Sequence, residues 1–266
     1  MTADRIQIDA VADGVARIRW HGDLRNREFV EAVTLVTAAV EEALAGHGRV
    51  EALVDPDDEA AQRIVTWSGL HREGVMRGAV LVDGTPRDRI VYARLADDPP
   101  ISEPVGFRGL LNSFLPRKRA ISQMLIRDPD QRVLLCQLTY KHDWDLPGGV
   151  VEVGESPRLA VGREVDEELG LSIDPGPILL TDWLPPWGGW DDAVCLVFDG
   201  GVHPVEIVEK IVRQEREIRA AEFCTPKQVA ERCADYTARR ITAALASLGS
   251  GPSYTESGRR DEQGET

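Results

Sequence analysis

The chain has 266 residues, of which 42% are hydrophobic and 29% charged, the balance of an ordinary folded protein with room for two modest domains. Its formal net charge of −14 argues against a nucleic-acid polymer or an anionic membrane as partner, because both reward basic surfaces. No apolar run approaches the roughly 20 residues that span a bilayer, and the opening MTADRIQIDA carries no signal-peptide pattern. The four cysteines, Cys136, Cys195, Cys224 and Cys233, form neither a zinc motif nor a disulfide framework, so a reducing cytoplasm is the expected location.

Residues 1–97 read as one α/β unit. Ile6 to Val11 and Val15 to Trp20 alternate as paired strands around Asp13-Gly14. Phe29 to Leu44 is apolar at helical spacing and stops at Gly46 and Gly48. Val50 to Val54 is a short strand, and Asp57 and Asp58 can cap a helix running to Trp67. Ala79 to Val82 and Ile90 to Leu95 are strands joined by the turn Asp83-Gly84-Thr85-Pro86. Residues 98–116, rich in proline and glycine, have linker composition.

The second domain is expected over residues 117–248. Ala120 to Ile126 and Val133 to Leu138 are strands, followed by a punctuated loop at Trp144-Asp145-Leu146-Pro147-Gly148-Gly149. Ile178 to Trp183, Ala193 to Phe198 and Ile218 to Phe223 are further strands, and Pro226 to Leu248 is a last helix. The polar tail, residues 249–266, reads as disordered.

The most informative stretch is GVVEVGESPRLAVGREVDEELGL, Gly149 to Leu171. A helix over 156–169 places Glu164, Glu167 and Glu168 at i, i+3 and i+4, on one face. Three like charges so close repel one another unless a cation neutralises them, and oxygen ligands suit a hard ion such as Mg²⁺ or Mn²⁺. The plain alternative is a solvated acidic face. Against it stand the tight loop at Gly148-Gly149, the helix stop at Gly170, and Glu155 placed where it can pair with Arg163.

That run matches at every specified position the box of Nudix hydrolases: G, five residues, E, seven residues, R-E-U, one residue, E-E, one residue, G-U, with U aliphatic. The second half of the chain therefore resembles a Nudix domain. The resemblance implies an α/β/α sandwich with a mixed sheet and a metal-dependent hydrolase that cleaves the diphosphate of a nucleotide, nucleotide-sugar or ADP-ribose type of substrate. By motif position it implies Glu164 and Glu168 as metal ligands, and Glu167 as a third ligand or as the base. It implies Arg163 as the partner that orients Glu155, and Gly148 and Gly149 as carbonyl donors beside the ion. Glu215 or Glu217 would complete such a site from a later loop, or else lie in a charged surface loop. Trp144, Trp183, Trp187 and Trp190 could stack on a base or pack as core and rim. Lys118 and Arg119 could reach phosphates, and Pro186 stands fifteen residues beyond the box, where ADP-ribose pyrophosphatases place a proline. The histidines show no pairing.

In the first unit, Val50 to Leu95 includes D-P-D-x-E-A and G-x-x-R-E-G-V-x-R (Gly69 to Arg77, read as a turn) and is similar to the later half of GNAT acetyltransferases. The acetyl-CoA pyrophosphate loop of that family would fall at Leu24 to Val30, but the chain has Arg25-Asn26-Arg27-Glu28-Phe29-Val30 there. Both small positions are lost and Glu28 puts a negative charge where phosphate would lie. The stretch ahead of it is also short of a complete GNAT domain. A GNAT-like unit without transferase activity is expected, serving packing, dimerisation or coverage of the second domain's substrate. Two other readings stand beside the hydrolase: a nucleotide sensor that does not cleave, and an acetyltransferase with an accessory Nudix domain.

Overall fold

A computed structural model describes residues 6–20 and 27–259. The chain divides into two units, 1–116 and 117–266. In the first, β1 (Ile6–Ala12) and β2 (Val15–Trp20) form a hairpin, and α1 (Phe29–Leu44), β3 (Arg49–Val54) and α2 (Glu59–Trp67) follow. Asp58 caps α2 by accepting the Ala61 N–H at 3.0 Å. β4 (His71–Val82) and β5 (Thr85–Leu95) complete a sheet of order β1-β2-β3-β5-β4, in which only β2 and β3 pair parallel. Alternation along β3 buries Val50, Ala52 and Val54 against Val36 and Val40 of α1. Gly69 to Arg77 is not the expected turn: from His71 onward it is strand, with irregular register at Gly74 and beyond Met76. Of the expected pyrophosphate loop, Leu24 to Asn26 lie outside the described residues, while Arg27 pairs with Glu31 and Glu28 sits at the start of α1.

The stretch 98–116, expected as linker, holds helix α3 (Pro104–Phe114) within the first unit. Its proline and glycine have helical uses. Pro104 opens the helix, where its missing N–H costs nothing, and a Cβ on Gly106 would overlap the Pro99 and Pro100 carbonyls. Leu110 is buried, and the Ser113 hydroxyl accepts the Arg72 N–H at 3.1 Å.

In the second unit, β6 (Arg119–Arg127), β7 (Val133–Leu138), β8 (Trp144–Asp145), β9 (Gly148–Val150), α4 (Pro157–Leu169), β10 (Ile178–Leu184), β11 (Ala193–Val202) and β12 (Ile218–Cys224) follow in turn. The expected single last helix is two, α5 (Pro226–Arg232) and α6 (Asp235–Ala246). Cys233 between them is extended and bridges to Trp144, which breaks the helical run. Within the described residues the tail also carries structure: β13 (Ser253–Glu256) adds parallel to β10. Its attachment is polar, the buried Thr255 donating to Asp182 at 2.7 Å, so composition alone gave no sign of it.

The mixed sheet runs β12-β7-β6-β11-β10-β13, with β8 on β7 and β9 on β6. Its two faces feed different cores. Met124 and Ile126 pack with Val161, Val165 and Leu169 of α4, while Leu125 and Cys195 pack with Val229 of α5 and Ile241 and Ala244 of α6. This is a sandwich of helix, sheet and helix, and β9, which enters α4, lies at its centre beside β6. Among the described residues no helix is long and apolar enough to cross a membrane. All four cysteines are free and buried.

Candidate active site

Helix α4 has defined ends. The Ser156 hydroxyl accepts the Leu159 N–H at 3.3 Å, Pro157 occupies the first turn, and Gly170 closes the helix at φ +64°. The loop before it reaches the helix through two glycines whose bare Cα atoms lie against backbone at Gly148 and against the Glu164 carboxyl at Gly149. At Gly148 (φ +132°) a Cβ would overlap the Ser122 carbonyl, and at Gly149 it would stand 2.5 Å from the Glu164 carboxyl carbon.

Glu164 and Glu168 are drawn into the space these glycines leave. Glu168 is 5% exposed and accepts the Gly148 N–H at 3.0 Å. Burial raises its carboxyl to about 8; the Gly148 N–H opposes the rise, and the charges of Glu164, Glu217 and Asp145 add to it. Burial likewise raises Glu164, against Arg163 and with Glu167 and Glu217. Behind them Arg163 grips Glu155 in a two-pronged pair, Nε to Oε1 and Nη2 to Oε2, each 3.0 Å. That pair lowers the Glu155 carboxyl, with the guanidinium bond as the main cause. The remaining arm, Nη1, lies 3.1 Å from Glu164 and 3.0 Å from Glu167.

The three box glutamates therefore differ. Glu164 and Glu168 are recessed, whereas Glu167 is exposed and held by Arg163. Of the two later candidates, Glu217 acts by its charge on both Glu164 and Glu168. Glu217 is positioned by the segment after α4, where the Val212 and Gln214 N–H groups bond the Leu169 and Glu168 carbonyls at 2.9 Å. Among the described residues no three His, Cys, Asp or Glu side chains are already gathered as a metal cage. Arg163 and Gly148 occupy the box carboxyls instead. The loop and helix thus bring the carboxylate oxygens of Glu164 and Glu168 together beside Gly148 and Gly149, with the charge of Glu217 acting on both.

The other expected residues scatter. Trp144 cannot offer a stacking face: it is 9% exposed, packs among Leu135, Leu146 and Val229, and its ring is covered by Arg232 at 4.6 Å. Lys118 pairs with Asp192, and Arg119 lies over the Trp190 ring at 4.7 Å. Pro186 is exposed in the loop between β10 and β11. The sequence gives no sign of the buried pair Asp182 and Arg240, 58 residues apart, or of the burial of Asp145.

The NUDIX domain family matches residues 116–245. A MutT-like protein of Streptomyces ambofaciens is 32% identical over 49% of this chain and 78% of its own length. The nucleoside triphosphatase NudI of Escherichia coli O1:K1 / APEC is 31% identical over 40% of this chain and 77% of its own. A solved structure of a ribosomal-protein-S5-alanine acetyltransferase from Vibrio fischeri overlaps 35% of this chain and 52% of its own, at 17% identity and a TM-score of 0.31. With the complete box on a capped helix, and relatives of that identity matched over three-quarters of their length, the chain belongs to the Nudix hydrolase family.

Proposed function

We propose that the second unit hydrolyses the diphosphate linkage of a nucleoside diphosphate derivative with the help of Mg²⁺ or Mn²⁺. The observation that carries this reading is the pair Glu164 and Glu168, recessed, adjacent and lacking enough positive charge to neutralise them. The donor set fits a hard divalent ion: all oxygen, with carboxyls that burial holds toward their neutral form and that a nearby cation would ionise. Glu164 and Glu168 would hold the ion, with Glu217 completing the set from the loop before β12. When bound, such an ion lowers the pKa of water and screens the phosphate oxygens. The chain's own part is to fix those carboxylates. Gly148 N–H orients Glu168, the bare Cα of Gly149 makes room for Glu164, and the Glu155–Arg163 pair anchors the loop to the helix. Glu167, exposed and held by one arm of Arg163, is the carboxylate assigned to take a proton from the attacking water.

The name of one relative, a nucleoside triphosphatase, favours a nucleotide over other diphosphates. The first unit we read as GNAT-like and without acetyl transfer, on the evidence of Glu28 and Val30 where that family keeps small residues. Phosphate release from a nucleotide panel, with and without Mg²⁺, tests the hydrolase. Wild type should cleave at least one substrate only with metal. Glu168→Gln should lose roughly 10²–10³-fold in kcat, since an ion at a phosphoryl centre contributes several kcal/mol. Metal-independent cleavage, or full activity in the variant, would sink the reading.

A further inference from the structure

The side of the β6–β9 pair away from α4 carries a second group of buried charges, and it closes on the loop that feeds the acidic site. Gln123 faces that side with Ile121 and Leu125, toward α5 and α6, and is buried. Its amide oxygen accepts from Arg240 Nη1 at 3.1 Å and from the Cys195 thiol at 3.3 Å. Its amide nitrogen donates to Asp145 Oδ1 at 2.9 Å and to the Leu146 carbonyl at 3.4 Å. A guanidinium only donates and a carboxylate only accepts, so the charges on either side fix which way round the amide lies. Arg240 is held in turn by Asp182, Nε to Oδ2, and Asp145 by Lys141, Nζ to Oδ2, each at 2.8 Å. Such a network adds little stability over an apolar core, so its use lies in what it holds.

It holds the turn between β8 and β9. Pro147 has no N–H, so the stretch from Leu146 to Gly148 lacks one backbone donor. Carbonyls carry the attachment instead. The Leu146 carbonyl meets the Gln123 amide, and the Pro147 carbonyl accepts the Met124 N–H at 3.0 Å. The Leu146 N–H donates to Asp145 Oδ1 at 2.9 Å. Gly148 then stands opposite Gln123 in register, so close that a Cβ on it would lie 2.8 Å from the Gln123 Cα. Its backbone, at a φ of +132° that favours glycine, delivers its N–H to Glu168 Oε2 at 3.0 Å. The run from Arg240 to Glu168 is therefore continuous. Every step is a peptide bond or a hydrogen bond of 3.4 Å or less.

We propose that Gln123 is a positioning residue for the acidic site: by gripping Leu146 and Asp145 it sets where the Gly148 N–H stands, and so how Glu168 is presented to a metal ion. Arg240 serves it by fixing the orientation of its amide. The proposal rests on the hydrolase reading above and deepens it, because it places a determinant of the α4 carboxylates on the opposite face of the sheet.

The test uses the full chain and two readouts besides turnover: the amide resonance of Gly148 in metal-free protein, and Mn²⁺ binding followed by EPR of the free ion. In wild type the Gly148 proton, bonded to a buried carboxyl, should resonate downfield and exchange slowly. Gln123→Met replaces the amide with a thioether of similar length, so the Gly148 proton should move upfield and exchange faster. Its Mn²⁺ affinity should fall roughly 10- to 100-fold, the loss seen when a residue that orients metal ligands is removed. The Mg²⁺ concentration for half-maximal nucleotide turnover should rise in step. Arg240→Lys keeps a charge beside Asp182 but cannot donate to two partners from a fixed fork. It should shift Gly148 in the same direction and cost less affinity, and it decides the matter if Gln123→Met does not fold. Thr255→Val, at the far end of the same network, loses its bond to Asp182 without touching Gln123. It should leave Gly148 and Mn²⁺ affinity as in wild type, which separates positioning from general loosening. An unmoved Gly148 resonance with unchanged Mn²⁺ affinity in the folded variants would overturn the proposal, and so would equal effects from Thr255→Val. If Gly148 moves as expected but wild type cleaves no nucleotide under any metal, the positioning of Glu168 stands and the hydrolase falls.

Discussion

Two groups of buried charge flank the β6–β9 pair, and they are built on opposite terms. On the α4 side, Glu164 and Glu168 are recessed with their charges largely uncompensated, and burial lifts both carboxyls. On the α6 side, Asp182 and Asp145 are as deeply placed but matched by Arg240 and Lys141. Burial there also works to raise Asp145, yet Lys141 and Arg240 together hold it below its ordinary value. Burial alone therefore does not distinguish a site from a scaffold; the balance of charge within the group does. The first group holds more carboxylate than cation, whereas the second sets Lys141 and Arg240 against Asp145 and Asp182 and leaves only Arg240 Nη2 without a hydrogen-bond partner among the described residues.

Substitutions in the two groups should move stability in opposite directions. Asp182→Ala strands the Arg240 charge in the core and removes the acceptor of Thr255 and Gly258, so about 3–5 kcal/mol of stability should be lost. A urea midpoint within error of wild type would show that water replaces the carboxylate. Glu168→Gln replaces a deeply buried carboxyl, which burial already holds toward its neutral form, with a neutral amide that keeps an oxygen for the Gly148 N–H. Without metal, its midpoint should equal or exceed wild type. A loss on the scale of Asp182→Ala would erase the distinction between the groups.

Smaller displacements test how closely the acidic side is positioned. Gly149→Ala places a methyl 2.5 Å from the Glu164 carboxyl. The Glu164 tip can swing aside, so stability should change little, but a carboxylate misplaced by about 1 Å should cost roughly 10²-fold in kcat. Glu155→Gln breaks the two-pronged bond to Arg163 and frees that guanidinium to bind the box carboxylates more tightly. Activity or metal affinity should fall roughly 10- to 100-fold, as for other residues that orient ligands. A metal titration of each variant, read beside its kcat, separates positioning from binding.

How much of this was legible in the sequence follows the range of each interaction. The box could be read because its positions are local: Glu155 and Arg163 pair across eight residues, and Ser156 and Gly170 mark the helix ends. The strands β6, β7, β10, β11 and β12 could be read from apolar runs. Helix α3 could not, because Pro104 and Gly106 signal a linker unless the carbonyls of Pro99 and Pro100 are known to lie against the glycine. Trp144 read equally as a ring for stacking on a base or as core and rim packing, and only the Arg232 cover and the bridge to Cys233, both remote in sequence, place it in the core. The α6 network was invisible for the same reason, since Arg240 and Gln123 are 117 residues apart.

The tail offers the smallest and most local test of the neutral group. Ser253 to Glu256 has no apolar stretch to anchor it, yet it adds to β10 and buries Thr255 completely. Thr255→Val keeps the shape and the β-branch that suits a strand, and removes only the hydroxyl that donates to Asp182 Oδ1. Asp182 retains Arg240 Nε and the Gly258 N–H, so its charge stays compensated. The expected loss is about 1–1.5 kcal/mol, the lower range for a hydrogen bond to a charged group. Amide exchange read along residues 253–256 should speed up more than exchange in β10, because the strand is attached chiefly through that side chain and its ladder. If exchange quickens equally in β10 and α6, the tail strand is part of the cooperative unit rather than an addition to its edge.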